Sequence, residues 1–394
     1  MTRLWDKGLP LAERVLRYTA GEDHVLDARL VAYDVRASIA HAEMLAAVGL
    51  IDASDGAAIR VALSDLATAH DAGEWHINLE DEDVHTALEL RLTESVGDAG
   101  ARLHLGRSRN DQVLAALRLY LRDAESDLSR RVEALRAALA RLDERQGELA
   151  LPGYTHMQQA MPSTVSLWCG GFDEAFGDAV EGLNAAGRRI NKNPLGSAAG
   201  YGTPGLPLAR DMTTAKLDFA STQSPSTAVQ LSRGKAESGL LFEITLLLQD
   251  LGRMASDLLL FYTQEFGYIS LAADVTTGSS IMPQKRNPDV LELIRSSSAT
   301  ALACLTESLM ITAKLPSGYQ RDLQRLKAPL FRAIDLAAES VDIMAYVLDG
   351  LCFEPGNIEL HEEIFATEEA YRLVREEGIS FRDAYRRVAE RYSK

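Results

Sequence analysis

The chain has 394 residues, 46% of them hydrophobic and 25% charged, with a formal net charge of −16; that is an ordinary folded composition, long enough for two or three domains at about 150 residues each, and its acidity speaks against a nucleic-acid surface. Three cysteines, Cys169, Cys304 and Cys352, lie far apart in sequence, which argues against a disulfide framework or a thiolate metal cluster and fits a reducing cytoplasm. The stretch Met1-Thr2-Arg3-Leu4-Trp5-Asp6-Lys7 lacks a secretory apolar core, and no apolar run reaches the roughly 18 residues that span a bilayer.

Residues 1 to about 104 carry short helical patterns, such as Leu30, Tyr33, Ile39 and Met44 to Leu45, broken by Gly49, Gly56 and Gly73. From 108 to 146 neither Pro nor Gly occurs, and Leu114, Leu117, Leu121, Leu128, Val132, Leu135, Leu139 and Leu142 recur at steps of three, four or seven. A continuous helix there would run roughly 55 to 60 Å at 1.5 Å per residue. Residues 194 to 207 (PLGSAAGYGTPGLP) hold three Pro and four Gly and read as loop. Next, Leu240, Ile244, Leu247, Leu251, Met254, Leu258 and Phe261 alternate steps of four and three, with Leu241, Leu248, Leu259 and Tyr262 widening the stripe beyond a two-helix seam. Pro288 and Pro329 open further helices, over 288 to about 314 and 329 to 348, because a proline at a helix start gives up no hydrogen bond. Residues 352 to 394 hold short charged helices. Alternating strand patterns are scarce, and no short-period repeat or low-complexity tract occurs. The expected architecture is all-α in three segments: an N-terminal helical domain over 1–104, a central long-helix bundle over 105–351 and a short C-terminal cap over 352–394. One thin bundle cannot cover such wide apolar faces, so burial against further copies of the chain, in a homo-oligomer, is expected.

One segment does nothing for a core: Gly278-Ser279-Ser280-Ile281-Met282-Pro283-Gln284-Lys285-Arg286-Asn287-Pro288-Asp289. Glycine allows close backbone approach, hydroxyls and amides hydrogen-bond, and lysine supplies a compact positive charge, all useful around an anionic substrate. A Gly-Ser-Ser loop that merely caps the next helix has the same composition. The residue order is more specific, because it closely resembles the signature loop of the fumarase/aspartase superfamily through Gly278, Ser279, Ser280, Met282, Pro283, Lys285 and Asn287. Upstream, Thr155-His156-Met157-Gln158 is similar to that superfamily's second block. Leu105-Gly106-Arg107-Ser108-Arg109-Asn110-Asp111-Gln112 is similar to the first, in the form typical of argininosuccinate lyases. Tyr319-Gln320-Arg321-Asp322-Leu323-Gln324-Arg325-Leu326-Lys327 resembles the post-loop segment of the same family, and Leu26-Asp27 through Asp34, Ser38 and His41 resembles its N-terminal run. The resemblance covers nearly the whole chain.

It implies a three-domain fumarase/aspartase-like fold whose central bundle forms a homotetramer, with three subunits contributing to each site. The implied reaction is the reversible β-elimination of argininosuccinate to arginine and fumarate in cytoplasmic arginine biosynthesis, with no cofactor and no metal. The hard step is removal of a proton beside a carboxylate, which requires donors and positive charge aimed at the aci-carboxylate that forms. Resemblance assigns Ser279 as the base. A free serine hydroxyl is too weak an acid to serve unaided, so Lys285 and backbone N–H groups must stabilise its alkoxide. Ser280 and Asn287 complete the cradle, and His156 carries the proton exchanged with the leaving guanidino nitrogen. Arg109, Asn110, Thr155, Tyr319, Gln324 and Lys327 match substrate-holding positions, and a substrate with three carboxylates needs several such contacts. Arg107 and Arg109 stand at a helix start, where basic charge opposes the dipole; an anionic ligand explains them better than simple surface charge.

Some positions depart from the pattern. Where many relatives place a substrate-contacting serine, this chain has Asp23, which cannot donate when ionised. The usual Asp-Arg-Asp element is replaced by Ser226-Thr227-Ala228-Val229-Gln230-Leu231-Ser232-Arg233-Gly234-Lys235, and the stretch after Phe381-Arg382-Asp383-Ala384-Tyr385 is short for the family's cap domain. A modified arginine precursor as substrate, another fumarate-releasing lyase such as adenylosuccinate lyase or fumarase, and a structural protein on the same scaffold remain as alternatives. His76, Glu80, Asp81, Glu82, Asp83 and His85 could be drawn as a metal cluster, but consecutive acids beside Val84 and Leu88 fit the solvated start of a helix better. No nucleotide-binding glycine loop occurs.

Overall fold

The computed structural model describes residues 12–392, so the stretch Met1 to Lys7 lies outside the described residues. Helices form where the apolar period is sustained. In chain order the main elements are α1 (Glu13–Ala20), α2 (Val31–Ala47), α3 (Ala53–Asp71), α4 (Val84–Val96) and α5 (Arg109–Gln146); a hairpin of β1 (Ala150–Thr155) and β2 (Gln158–Thr164); then α6 (Val165–Ile190), α7 (Arg210–Lys216), α8 (Ser226–Leu231) and α9 (Lys235–Phe261). A two-rung hairpin of β3 (Thr277–Gly278) and β4 (Arg286–Asn287) precedes α10 (Asp289–Thr312), α11 (Lys327–Gly350), α12 (Ala366–Glu377) and α13 (Phe381–Ala389). Among the described residues, no helix is long and apolar enough to cross a membrane.

The longest helix, α5, has 38 residues and is about 57 Å long at 1.5 Å per residue. Its eight expected core side chains, from Leu114 to Leu142, are all buried. The start is fixed reciprocally: Ser108 Oγ accepts the Asn110 N–H at 3.3 Å, and Asp111 Oδ1 accepts the Ser108 N–H at 2.9 Å. In α9 the expected stripe from Leu240 to Phe261 is buried together with Leu241 and Leu248, whereas Leu259 and Tyr262 are half-buried. The helix expected to open at Pro329 begins two residues earlier, at Lys327. A proline within the first turn still lacks only a donor that no intrahelical acceptor awaits.

One sequence expectation needs correction. The acids before α4 were expected to be solvated, yet Asp81, Glu82 and Asp83 are buried and only Glu80 is exposed. Asp83 caps α4 by accepting the Thr86 N–H at 2.9 Å, and Asp81 lies 3.3 Å from Arg91. Among the described residues strands are few, as expected, and the longest are those of the β1–β2 hairpin, where Pro152 pairs with Pro162 across the ladder. Prolines and small polar residues there hide the alternation by which a strand is read.

The fold divides into two units. One comprises the chain up to Ser129 with Gly182–Thr245 and Ala301–Asp335. Within it α2 packs on α3, and a Cβ added at Gly56 would lie 3.0 Å from the Ala46 Cβ, so glycine permits the close approach. Ala37, Ala40, Ala115, Leu119, Leu195, Leu217 and Phe219 form a buried apolar cluster of this unit. The glycine-rich 194–207 segment is loop, as expected, and Asp111 Oδ2 anchors it by accepting the N–H groups of Gly196 at 3.0 Å and Ala198 at 2.7 Å. The other unit comprises Arg130–Glu181, Leu246–Thr300 and the chain from Leu336 onward. Its core is aromatic: Trp168 meets Phe172, Phe261 and Phe353 with centroids 5.1 to 6.4 Å apart, and its indole N–H donates to Asp257 at 3.0 Å. Ala370, Leu373, Ala384 and Val388 join α12 to α13.

Candidate active site

The sequence-selected residues fall into both units. Thr155, His156, Ser279, Ser280, Lys285 and Asn287 belong to the unit with the aromatic core; Arg109, Asn110, Tyr319, Gln324 and Lys327 belong to the other.

His156 and Met157 are the two turn residues of the β1–β2 hairpin, flanked by the Thr155–Gln158 pair. Their φ values are 52° and 61°, the left-handed pair that a tight two-residue hairpin turn requires and that side chains other than Gly and Asn adopt at a cost. Thr155, His156, Met157 and Gln158 are all exposed. The hairpin is held behind the tip: Gln159 Nε2 donates to the Glu359 carbonyl at 2.9 Å, and Gln159 Oε1 accepts the His361 N–H at 3.0 Å.

The β3–β4 hairpin pairs Thr277 with Asn287 and Gly278 with Arg286, and holds the loop 279–285 between them. Asn287 Nδ2 donates to the Gly278 carbonyl at 3.4 Å, and Thr277 hydrogen-bonds Asp289 beyond it. Inside the loop Ser279 Oγ accepts two backbone N–H groups, from Met282 at 3.1 Å and Ile281 at 3.3 Å. Two donors on one hydroxyl oxygen favour its deprotonated form. Lys285 is exposed on the same loop, and its N–H donates to the Met282 carbonyl at 3.1 Å.

In the first unit a group of charges gathers around Lys327. Its ammonium is buried, 2.5 Å from Asp27 and 2.9 Å from Asp23. Burial alone would lower its pKa, but the two carboxylates outweigh that and raise it. Burial pushes the Asp23 carboxyl up to about 7, against the pull of Lys327 and with a further push from Asp27. Gln324 Nε2 donates to the Thr19 and Ala20 carbonyls at 2.9 and 3.2 Å, and Gln324 Oε1 accepts from Arg321 at 3.1 Å. Arg109 donates to Thr86 Oγ1 at 2.7 Å and stands 3.4 Å from Asp83 and 3.7 Å from Glu82. Glu82 has φ 66°, a backbone cost that such sites sustain. Tyr319 stacks under Arg233, with the guanidinium carbon 5.4 Å from the ring centroid. Asn110 is half-buried beside Arg109. Arg107 is buried rather than a surface charge, donating to Ser38 at 2.8 Å.

Sequence reasoning missed the carboxylates that hold these cations. Asp27 binds Lys327 across 300 positions, and Asp83 and Glu82 face Arg109. The one local signal was the four-residue spacing of Asp23 and Asp27, which puts both on one helical face. Among the described residues, no group of three His, Cys, Asp or Glu is placed to hold a metal ion.

Comparison with known proteins supplies the remaining link. Residues 15–302 match a family described as lyase. An argininosuccinate lyase of Sorangium cellulosum is 43% identical over 98% of this chain and 90% of its own length. One from Thermotoga neapolitana is 38% identical over 100% of this chain and 98% of its own. Among solved structures, EDDS lyase in complex with formate, and a variant of it with bound fumarate, superpose with a TM-score of 0.82 at 26% identity, covering 97% of this chain and 76% of theirs. Helical architecture, residue order and full-length similarity agree, and the chain belongs to the argininosuccinate lyase family of the fumarase/aspartase superfamily.

Proposed function

We propose that this chain cleaves argininosuccinate reversibly to arginine and fumarate, with Ser279 as the base. The observation that carries the assignment is the pair of backbone N–H groups on Ser279 Oγ. The alkoxide takes a proton from the succinyl carbon next to a carboxylate, and the C–H electrons move toward that carboxylate. Lys285, Ser280 and Asn287 meet the charge that develops there, where a preorganised donor is worth most. The electrons then return to form the fumarate double bond while the bond to the guanidino nitrogen breaks. His156 protonates that nitrogen as it leaves. Arg109, Asn110, Thr155, Tyr319, Gln324 and Lys327 orient the three carboxylates of the substrate and the arginine end. Fumarate bound to a solved structural relative is the product this reaction releases.

Each site is assembled in a homotetramer from several copies of the chain, and the three free cysteines suit a reducing cytoplasm. Fumarate absorbance after mixing the purified protein with argininosuccinate tests the reading. Ser279→Ala and His156→Asn are each expected to keep the circular dichroism spectrum and to lower kcat by about a hundredfold or more. Fumarate released from adenylosuccinate or malate, but not from argininosuccinate, would assign the chain to a different substrate.

A further inference from the structure

One ammonium cannot balance two carboxylates. Lys327 lies between Asp27, which is fully buried, and Asp23, which lines a cavity of about 400 Å³ together with Thr19, Gln324, Arg321 and Arg325. Asp27 is the better matched of the pair, at 2.5 Å from the ammonium against 2.9 Å for Asp23, and its other oxygen accepts the Val84 N–H at 3.4 Å. Asp23 is thus the spare carboxyl, and it is the one that faces open space. Burial holds it at a pKa of about 7, so near neutrality it is only part-ionised; Arg233 senses its charge, but among the described residues Lys327 is the cation ion-paired to it. The same cavity also carries cations: Arg325, whose guanidinium carbon lies 6.0 Å from the Tyr18 ring centroid, and Arg321, oriented by the Thr19 carbonyl at 2.9 Å and Gln324 at 3.1 Å. Glu22, Glu307 and Asp322 line it as well, so the cavity offers both signs of charge with acids in excess, which fits a cation-bearing zwitterion better than a simple anion.

We propose that Asp23 is a specificity-determining residue that receives the free α-ammonium of the arginine portion of the substrate, with Arg321 and Arg325 receiving its α-carboxylate. The inference rests on the reaction proposed above. In the proposed reaction His156 and the Ser279 loop engage the guanidino end, which leaves the α-amino acid end of the arginine portion for this cavity. Asp23 then does what a hydroxyl at this position would not: it demands a positive charge on the ligand, and a substrate acylated at Nα brings an uncharged amide instead. Placing that amide against the carboxyl loses a charge-assisted hydrogen bond, about tenfold in affinity at 1.4 kcal/mol.

The test compares argininosuccinate with its Nα-acetyl derivative by fumarate release, on the native protein and on Asp23→Ser and Asp23→Asn. For the native protein acetylation is expected to raise KM at least about tenfold and to move kcat less. In either variant the preference should narrow to within about threefold. Loss of a purely structural contact to Lys327 would slow both substrates equally and leave their ratio unchanged, which would overturn the proposal. So would equal kcat/KM for the two substrates on the native protein, a measurement that stands even if neither variant folds. Absence of fumarate from both substrates on the native protein would instead sink the reaction assignment, and the role of Asp23 with it.

Discussion

At the residue scale, the fold stores much of its polar organisation in buried ion pairs that long-range packing creates. His85 and Asp34 are both buried, with Nδ1 2.8 Å from the carboxylate, and Gln112 donates to the same carboxylate at 3.1 Å. Burial would raise the Asp34 pKa, yet His85, Arg107 and Gln112 outweigh it and hold it below 3.8. Burial would likewise lower that of His85, and Asp34, with Asp83 and Asp27, raises it above 6.5 instead. A histidine raised in the fold contributes stability that is complete below its unfolded pKa and is lost as pH rises through the folded one; the lowered carboxylate is affected only in acid. His85→Asn should therefore lower Tm most at about pH 5 to 6 and progressively less toward pH 9. Thermal unfolding of both proteins across that range checks it, and a gap that stays constant would mean that His85 is not an imidazolium in the fold. Residues of the proposed chemistry were legible in the sequence because elimination needs particular side chains in a particular order. Their partners were not. Nothing local tells that Asp27 will meet Lys327, or Asp34 His85, since the meeting depends on how helices far apart in sequence pack.

At the scale of elements, legibility followed period. The α5 and α9 helices could be read to within a few residues, because an unbroken run of three- and four-residue apolar steps admits only one regular structure. The β1–β2 hairpin carries no such period, and its turn uses His156 and Met157 where glycine or asparagine would have signalled it. Turns between helices are governed as tightly as the helices. Gly234, between α8 and α9, has φ 79°, and a Cβ there would lie 2.2 Å from Thr312 Cγ2 on α10. Strain and collision add, so Gly234→Ala is expected to cost about 2 to 3 kcal/mol. Gly205 has φ 84° but nothing within 4 Å of its added Cβ; Gly205→Ala should cost only the backbone share, about 1 kcal/mol. Urea unfolding followed by circular dichroism separates the two, and equal losses would show that the approach of Thr312 does not constrain the turn.

For the whole molecule, the question is what covers the apolar side chains left exposed on its longest helices. Phe242, Leu246, Gln249, Arg253 and Ser256 form a single exposed stripe along α9, at steps of three and four. Phe242 is 49% exposed and Leu246 40%. On α10 the outward positions from Ser296 to Met310 are almost uncharged: Leu302 is 49%, Leu309 52% and Met310 73% exposed, with Glu307 the one charge among the exposed residues of that stretch. A chain with net charge −16 has ample polar surface, so two such faces on neighbouring stretches of sequence are surplus to a monomer's needs. Burying them against the same faces of further copies removes them from water at about 25 cal/mol per Å². That gives the proposed homotetramer its driving force. Leu246→Glu and Leu302→Glu each place a carboxylate on these exposed faces, the proposed interface, without altering any residue of the proposed chemistry. Light scattering coupled to size exclusion should find four chains in the native species and predominantly smaller ones in the double variant, with fumarate release falling in parallel because each site then lacks its other contributors. A double variant that remains tetrameric would locate the subunit interface elsewhere than on α9 and α10, and one that dissociates with undiminished turnover would show that a single chain suffices for a complete site.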